Sequence, residues 1–563
     1  MAQFDQKAKV MTPDKNVFDL SYRSRLSAIM GQLIPVLNKP IIPGDRFRLS
    51  LDTLIRLAPL RAPIFDGLKA DFHAFFVPNR LLDPDWKEFI TGGDGLTSGE
   101  DTQLPPLQFA LRDFVANPQE NEGMHISGLF DYLNIHPFTY TPDGSPFTGE
   151  YPNINLNALP VLGYHKIWSD WYRNERIEDG FSLGGDGFKS LSIFGSDGRI
   201  VKGLYTMSSI GSETYSSNSF DKLHYRNYAK DRYTTALPEP VIGGPVIIPG
   251  TGTNGETIKA DVTSSNGSSL RLSEHSGASI GQDYSLNGVG GLENQTMSVT
   301  MKLASAAIAT IQDLKTAFKM YSFFMKDTYN GNRYVEFIQS HYNVRVPDAT
   351  VDRSIYLGRV TVPIQFGEVF QTSGTTQTSS SGSSKNALGD YAGRGVGAGS
   401  DFMFDETFLE HGQLYIIMSI VPRNTYYQGI DKKFFINDRF DYFFPEFQNI
   451  GDVAIKNYEL FLDSKGTQKE TVFGYQSRWY DLKQYDDELH GDFLPNASGP
   501  GSNMSFWNFA RMFKDEPVLS STFSNVTPVN SPFAVLDEWS DNFYIDIQFN
   551  IKALRPIMYY EEF

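Results

Sequence analysis

The sequence feature that most constrains the fold is a strict alternation of apolar and polar side chains near the C-terminus. The apolar members are Phe543, Ile545, Ile547, Phe549 and Ile551, with one polar or amphipathic residue between each pair. Because successive side chains of a β-strand point to opposite faces, this period predicts a strand with one buried face and one wet face.

Composition extends the β prediction to the rest of the chain. Among its 563 residues are 43 Phe, 29 Tyr, 49 Gly and 30 Pro. Aromatic side chains suit pleated, half-buried surfaces, and Gly or Pro marks the turns between strands. Hydrophobic residues at 40% and charged residues at 20% indicate a packed globular core. We therefore predict a mainly β, globular fold with many loops.

Charge and cysteine content limit the function classes. The chain has no cysteine, so disulfides and thiolate metal sites are excluded, and stability must come from packing or assembly. With 49 Lys and Arg against 66 Asp and Glu, the net charge is −17, which excludes a surface that attracts nucleic acid everywhere. Any DNA contact must be local or made through a basic partner.

Hydropathy predicts a protein made and used in a cytoplasm. The N-terminal residues contain no apolar segment of the kind that signal peptides carry. The most hydrophobic run, Leu414 to Val421, is too short to span a bilayer.

The chain divides into an arm, two core parts and two loop-like segments. Residues 1–44 are predicted to be an N-terminal arm lying extended against a neighbour, because Pro35, Pro40 and Pro43 disfavour a helix. Residues 45–242 are predicted to hold the first part of the core, with strands near 46–51 and 71–77 and a short helix opened by Asp83 and Pro84. Residues 296–563 are predicted to hold helices and the remaining core.

The clearest helix signal runs from Ala304 to Met325, where apolar residues recur at spacings of three and four. Two segments are instead rich in Gly, Ser, Thr and Asn. They are 243–295, predicted to be a surface insertion, and 372–400, predicted to be a flexible loop; neither contains the residues of a core.

Catalytic motifs are incomplete throughout. Ser279 stands in a G-x-S-x-G pattern, but it lies inside the Gly- and Ser-rich insertion, where chance explains the match. The nine His are scattered without metal-ligand spacing, and no phosphate-binding glycine loop is complete, so we predict neither metal nor cofactor. The cluster Asp486, Asp487 and Glu488 is most simply a solvated loop.

Two alternatives stay open from the residues alone. Trp168, Trp171 and Tyr172 could form a stacking platform for a ligand, although a core or subunit interface is the more frequent fate of such side chains. A carbohydrate-binding or glycoside-hydrolase β-sandwich, secreted or cytosolic, would need a concave site with aromatic rings and paired carboxylates. Because no catalytic constellation is complete, we predict that the chain is not an enzyme.

Several sequence blocks, in order, resemble the major capsid protein of the Microviridae, most of all its gokushovirus branch. The blocks are FDLSYRSRLSAIMGQLIPVLNKPIIPGDRFRLS, IRLAPLRAPIFDGLKADFHAFFVPNRLL, WKEFITGG, IWSDWYRNE, RNYAKDRYTTALPEP, QDLKTAFKMYSFFMKDTYNGNRYVEFIQSHYNVRVPDA, EVFQTSGTT, LEHGQLYIIMSIVPRNTYYQGI, FFPEFQNIGDVAI and FGYQSRWYDLK. Each block alone is modest evidence, but the ordered set is specific.

The resemblance implies an eight-stranded jelly roll of the viral capsid type, with long inserted loops and a few helices. It implies a bacteriophage structural protein that assembles with itself, in the host bacterial cytoplasm, into a small icosahedral virion around circular single-stranded DNA. The other partners it implies are a small basic DNA-binding protein, a pilot protein, an internal scaffolding protein and a host surface receptor. Residues 179–218 are longer and more polar than the family pattern.

Two residue sets carry the expected contacts. Segment 243–295 stands where related proteins place an insertion that clusters as a protrusion at the threefold axes. The host-attachment candidates within it are Asn254, Asn266, Arg271, His275 and Tyr284. The cations Lys7, Lys9, Lys15, Arg23 and Arg25 suit salt-sensitive phosphate contact, with a solvated arm as the alternative.

Overall fold

The computed structural model describes most of the chain. The described residues are 15–61, 64–83, 86–91, 108–110, 126–136, 154–178, 222–240, 262–263, 269–270, 298–299, 311–330, 333–370, 376–379, 382–385, 391–447, 451–462, 471–494, 504–535 and 540–559. They divide into two compact units, one formed by residues 1–240 with 346–563 and the other by residues 241–345.

Strands dominate the described residues. The strands are β1 (Asn16–Asp19), β2 (Tyr22–Ala28), β3 (Ile34–Ile41), β4 (Arg46–Leu57), β5 (Leu68–Pro78), β6 (Gln108–Ala110), β7 (Asn155–Asn157), β8 (Val262–Thr263), β9 (Ser269–Leu270), β10 (Ser298–Val299), β11 (Ile355–Phe370), β12 (Thr376–Ser379), β13 (Gly382–Lys385), β14 (Tyr391–Thr407), β15 (Gly412–Pro422), β16 (Asp452–Lys456), β17 (Val472–Ser477) and β18 (Phe543–Arg555). The helices are α1 (Trp86–Thr91), α2 (Leu129–Tyr132), α3 (Leu159–Ile167), α4 (Ile311–Asn330), α5 (Tyr334–Tyr342) and α6 (Ser521–Ser524).

One antiparallel sheet organises the first unit. Among the described residues it contains nine strands in the order β1, β18, β4, β14, β11, β5, β15, β3, with β2 also beside β18. Because β1 and β2 pair with successive parts of β18, they share one strand position, which leaves eight positions. One half of the sheet holds the shared position of β1 and β2, then β18, β4 and β14, and the other half holds β11, β5, β15 and β3. The halves meet where β14 pairs with β11, and this is the strand order of a jelly roll. The predicted jelly-roll class is confirmed, and nine described strands fill its eight positions.

The main core lies inside this curled sheet. In β18 the residues Phe543, Ile545, Ile547 and Phe549 are buried and alternate with exposed or half-exposed neighbours, as the sequence period predicts. In β15 every residue is buried, since one face lies on the main core and the other lies under α3. A strand covered on both sides reads as a continuous apolar run, which explains the run from Leu414 to Val421.

A second hydrophobic cluster covers the outer side of β5 and β15. Its largest members on α3 and β15 are Tyr164 and Tyr415, both fully buried. The Tyr164 hydroxyl donates to the Leu33 carbonyl at 2.9 Å, and the Tyr415 hydroxyl donates to the Pro160 carbonyl at 2.7 Å. These bonds satisfy the only polar atom of each side chain and fix α3 against the sheet.

The predicted N-terminal arm is corrected by the structure from residue 16 onward. Residues 16–41 form β1, β2 and β3 of the chain's own sheet, and Ile34 and Leu37 belong to its core. The prolines Pro35 and Pro40 are compatible with strand structure here because β3 is the edge strand, where a missing N–H costs no ladder bond.

The predicted flexible loop at 372–400 is corrected in the same way. Its described parts form the hairpin of β12 and β13 and the first ten residues of β14. Alternate positions in β14 are glycines because neighbouring side chains fill their space. A Cβ at Gly395 would lie 2.8 Å from Leu57 Cδ2, and one at Gly399 would lie 2.8 Å from Val362 Cγ2.

The second unit contains the main predicted helix. That prediction is confirmed by α4, which begins later and ends later than the sequence period. Within this unit α4 packs on α5: Phe323 contacts Phe337, and His341 Nε2 lies 2.7 Å from Asp327 Oδ1. The helices therefore group with 241–345 and not with the core segment expected for 296–563. The expected polar elaboration at 179–218 lies outside the described residues.

Candidate functional site

The outer surface of β2, β18 and β4 concentrates positive charge. Strand β4 alternates buried Phe47 and Leu49 with exposed Arg46 and Arg48, so its arginines all point away from the core. Residues directly opposite in a ladder share a face, and the pairing extends this face across the neighbouring strands. Its six cations, which we call the basic face, are Arg23, Arg25, Arg46, Arg48, Arg56 and Lys552.

The ion pairs on the basic face leave most of its cations accessible. Arg23 Nε lies 3.4 Å and Arg25 Nε 3.9 Å from the same oxygen of Asp546, and the two arginine side chains remain 53% and 75% exposed. Exposed pairs at such distances contribute about 0–1 kcal/mol, so a phosphate can displace them. Arg46 has a closer partner than Arg23 and Arg25, because its Nε lies 2.8 Å from Asp405 Oδ1.

Hydrogen bonds lower the pKa of three carboxylates on or beside this surface. Ser400 and Asn550 donate to Asp52 and lower its pKa, and the Arg46 hydrogen bond lowers the pKa of Asp405. Asp19, opposite Lys552, has its pKa lowered by the side chain and backbone of Ser21. These three with Asp546 set four negative charges against six positive ones. The surface is thus net positive on a chain of charge −17.

The structure places the predicted DNA-contact residues unevenly. Lys7 and Lys9 lie outside the described residues. Lys15 donates from Nζ to the Gly44 carbonyl at 3.1 Å. Arg23 and Arg25 lie side by side on the basic face because they are two residues apart on β2.

The remaining four cations of the basic face were missed by sequence reasoning. The signal existed in the order RFRLSLDTLIR of β4, where Arg46, Arg48 and Arg56 occupy the polar positions of a period of two. It could have assigned these residues to a wet face. It could not have assigned that face to the same surface as β2, because β2 and β4 meet only through β18.

The host-attachment candidates cannot be placed in the same manner. Asn254, Asn266, Arg271, His275 and Tyr284 all lie outside the described residues, as does Ser279. The described parts of this segment are β8 and β9, which form a small sheet with β10 beyond its end, in the order β10, β8, β9.

The possible aromatic platform is packed into the second cluster. Trp168 and Trp171 belong to a π-helical turn that continues α3. Trp168 is buried and stacks on His224 at 3.9 Å between ring centroids, while Trp171 donates its Nε1 proton to the Ser354 carbonyl at 3.0 Å. Tyr172 is joined to His73 Nδ1 through its hydroxyl at 2.7 Å. These contacts confirm the structural interpretation of the motif.

The acidic cluster at 486–488 is divided among different neighbours. Asp487 pairs with Arg423 at 3.2 Å, and Glu488 lies 3.0 Å from His490. Burial, followed by the charge of Asp231, raises the pKa of Asp486 to about 6. Across the described ranges, no group of three or more His, Asp or Glu side chains is arranged to hold a metal ion. The helices in those ranges include none long and apolar enough to cross a membrane.

Comparison with known proteins connects this fold to viral shells. A family described as "Capsid protein (F protein)" matches residues 8–562. The chain is 27% identical to "Capsid protein VP1" of Chlamydia phage 1, covering 97% of this chain and 95% of that protein. It is 26% identical to "Capsid protein VP1" of Bdellovibrio phage phiMH2K, with coverage of 97% and 94%. For "Capsid protein VP1" of Spiroplasma virus 4 the identity is 26%, with coverage of 94% and 92%.

Proposed function

This chain belongs to the capsid protein (F protein) family, and from that premise we propose that it is the major subunit of a small icosahedral shell around circular single-stranded DNA. The resemblance to Microviridae capsid proteins of the gokushovirus type is confirmed by the family match and the VP1 relatives. The observation that carries the proposal is a family match over residues 8–562 of a chain with the jelly-roll strand order. Membership in a structural family favours this function over the lectin or glycosidase alternative.

Assembly supplies what the isolated subunit lacks. The chain has no disulfide to stabilise its long connections, and subunits that bury one another's surfaces gain stability by mass action. As a capsid protein it is a virion component, and we place its assembly in the host bacterial cytoplasm. The expected partners there are a small basic DNA-binding protein, a pilot protein and an internal scaffolding protein.

Electron microscopy tests the assembly directly. The full chain is expressed alone and together with the other genes of its genome. We expect uniform small icosahedral particles, at least in the full genetic context. Dispersed monomers in both cases would contradict the capsid role and return the alternatives to consideration.

The basic face is the proposed contact for the genome. Its accessible arginines offer bidentate donors for phosphate, and its net positive charge is local, as a chain of charge −17 requires. In this proposal, Arg23 and Arg25 contact the genome together with Arg48 and Arg56, which β4 presents on the same face. Lys7, Lys9 and Lys15 of the N-terminal segment extend the proposed set.

Two variants that lose the same number of charges distinguish a DNA contact at the basic face from a general effect of net charge. The test variant replaces Arg23, Arg25 and Arg56 by Gln, and the control replaces the exposed Arg61, Arg345 and Arg423 by Gln. Both remove three positive charges. For single-stranded DNA, the logarithm of the binding constant falls with the logarithm of the salt concentration, with a slope of about −0.7 per phosphate contact. Loss of three contacts should therefore make this slope less steep by about 2 in the test variant. Equal slopes and equal DNA content in the two variants would refute the assignment.

The insertion 243–295 is proposed to bind the host surface receptor from the threefold protrusions. The candidates are Asn254, Asn266, Arg271, His275 and Tyr284. Support comes from the position of the segment between the RNYAKDRYTTALPEP block and α4, and from its Gly-, Ser- and Asn-rich composition, which suits an exposed loop. Deleting residues 250–290 should leave shells intact and reduce attachment to host cells; failure to assemble would show a structural role instead.

A further inference from the structure

An exposed aromatic patch lies in the long connection between β15 and β18. The patch is formed by residues 431–447 and 478–485, and its most exposed large side chains are Phe434, Phe440, Tyr442, Phe443, Leu482 and Tyr485. Tyr485 is 88% exposed, Phe434 69% and Tyr442 60%. Single exposed apolar residues are normal, but these six are concentrated on two segments that contact each other through Lys432 and Asp481 and through Phe443 and Trp479. Such a concentration marks an interaction site.

Local hydrogen bonds hold the backbone under these side chains. The turn Arg439–Asp441 is closed by Asp441, whose Oδ2 accepts from the backbone N–H of Asn437 and of Asp438 at 3.3 and 3.0 Å. Arg478 Nη2 donates to the Phe440 carbonyl at 3.3 Å. The exposed rings are therefore carried on a fixed framework, so little conformational entropy remains to be lost on binding.

Trp479 anchors the patch in an unfavourable backbone conformation. Its φ is +68°, a region that bulky residues rarely adopt, yet its side chain is buried. The indole Nε1 donates to the Phe447 carbonyl at 3.4 Å, and the ring meets Phe443 edge-on with 5.4 Å between centroids. Strain of this kind persists where the surrounding contacts over-determine it, and it concentrates at functional sites.

The composition of the patch matches the centre of a protein interface. Phe, Tyr and Arg are enriched at interface centres, and Tyr and Arg are among the residues whose truncation most weakens binding. Here Lys433 and Arg439 lie over the rings of Phe434 and Phe440, at 5.3 and 5.9 Å from the centroids. These contacts hold positive charge and aromatic rings together on the same surface.

The charges of the patch identify its partner. Its five cations, Lys432, Lys433, Arg439, Arg478 and Lys483, are balanced by five anions, Asp431, Asp438, Asp441, Glu446 and Asp481. Two cations are already paired within the patch, Lys433 with Asp431 at 3.0 Å and Lys432 with Asp481 at 3.1 Å. Two chains of charge −17 repel one another over most of their surface, but a nearly neutral patch meets its own copy without that penalty.

We propose that the aromatic patch packs against the same patch of a second copy of this chain across a twofold axis. This deepens the proposed function, on which it rests, by naming one contact of the shell. A twofold contact is self-complementary, so a single patch of mixed charge and aromatic rings can serve both sides. Nucleic acid does not fit here, because the patch has no surplus of positive charge.

The absence of native cysteine makes the contact testable by cross-linking. Single variants Phe434→Cys, Tyr442→Cys and Tyr485→Cys are assembled into particles and treated with a short bismaleimide, and Leu409→Cys, which is 84% exposed but outside the patch, is the control. We expect covalent dimers from the patch variants in clear excess over the control. Particles whose patch variants give no excess of dimers overturn the proposal while the capsid function stands. Absence of particles for the unmodified chain is instead the failure of that function.

Truncation of the rings measures the contribution of the patch. The double variant Tyr442→Ser, Tyr485→Ser is compared with Leu409→Ser, Val518→Ser, in which two comparably exposed apolar side chains outside the patch are removed. Loss of two interface-centre aromatics should weaken subunit association by about tenfold or more. Circular dichroism of the unassembled subunits shows whether both variants are folded. Equal assembly of the folded test and control variants would contradict the proposal.

Discussion

Arg226 Nη1 lies 2.7 Å from Oδ2 of Asp71, whose side chain is fully buried in β5. The other carboxylate oxygen of Asp71 accepts from Arg359 Nη2 and Thr361 Oγ1 of β11, both at 2.7 Å. The same Arg226 nitrogen also donates to Ser419 Oγ on β15 at 2.7 Å. Asp71 and Arg226 together thus join three adjacent strands of the sheet, β11, β5 and β15, to the segment 222–240.

Removing this carboxylate should strongly destabilise the subunit. Asp71→Ala leaves Arg226 without its buried partner, and breaking a buried pair in this way costs about 3–5 kcal/mol. The matched control is Asp405→Ala, which breaks the exposed pair with Arg46 and should cost less than about 1 kcal/mol. Urea unfolding of unassembled subunits, followed by circular dichroism, gives both values. Similar losses in the two variants would show that burial of Asp71 has no special energetic role.

The same group predicts a pH dependence at the acid end. Burial raises the pKa of Asp71, but the charge of Arg226 and the hydrogen bonds of Thr361 and Arg359 outweigh it and lower the pKa to about 2. A lowered folded-state pKa means that the stabilisation is present above about pH 4 and is lost as the pH falls towards 2. The difference in unfolding free energy between wild type and Asp71→Asn should therefore shrink from pH 4 to pH 2. A constant difference over that range would argue against an ionised Asp71.

Arg511 makes a third prediction, because it is buried among aromatic rings. Its guanidinium carbon lies 4.3 Å from the centroid of Phe523 and 4.4 Å from that of Tyr228, and Nη2 donates to the Phe523 carbonyl at 2.7 Å. Lysine keeps the charge but not the planar stacking or the fork of donors, so Arg511→Lys should cost about 2 kcal/mol. Arg439→Lys, at a more exposed ring, should cost about 0.5 kcal/mol. Thermal unfolding of the two variants compares them, and equal melting temperatures would contradict the stacking argument.

The sequence predicts those strands and helices in which apolar residues recur with a regular period inside the element itself. The alternation in β18 and the three-and-four spacing in α4 are both visible in the sequence and present in the structure. The first ten residues of β14 carry the sequence signature of a loop, because their alternate positions are glycines, which remove the apolar half of the period. The missing apolar volume comes from Leu57 and Val362 on neighbouring strands. That compensation is tertiary and leaves no trace in the segment itself.

The candidate site divides in the same way. Arg23 and Arg25 were identified by charge alone, since they stand close together near the N-terminus. Lys552 joins them only because β18 pairs with β4 and lies beside the position that β1 and β2 share. Such pairing connects residues more than 500 positions apart in the sequence, and no periodicity within one segment specifies it.

Gly163 should not tolerate a side chain. A Cβ at this position of α3 would lie 2.2 Å from Tyr415 Oη, the atom that donates to the Pro160 carbonyl. Despite the better helix propensity of alanine, Gly163→Ala should destabilise the subunit by about 1–3 kcal/mol through overpacking. Gly67→Ala is the control, because the Cβ there meets only the flexible Arg423 side chain at 3.1 Å. Urea unfolding that shows no loss for Gly163→Ala would mean that Tyr415 can move without cost.

Asp486 predicts a pH dependence of opposite sign near neutrality. Burial is the largest cause that raises the pKa of Asp486 from 3.8 to about 6. The negative charges of Asp231, Asp431 and Asp487 act in the same direction, and the positive charge of Arg232 opposes them. A raised folded-state pKa means that the fold favours the protonated acid, so this stabilisation is complete below about pH 4 and is lost as the pH rises through 6. Asp486→Asn keeps the shape of the side chain without the charge. Relative to this variant, wild-type stability should fall between pH 4 and 6 and then stay constant.

The control Glu488→Gln alters an exposed carboxylate beside His490 and should not remove that fall. Urea midpoints of the three proteins at pH 4, 5, 6 and 7 provide the measurement, and parallel curves for wild type and Asp486→Asn would show that Asp486 does not titrate in this range.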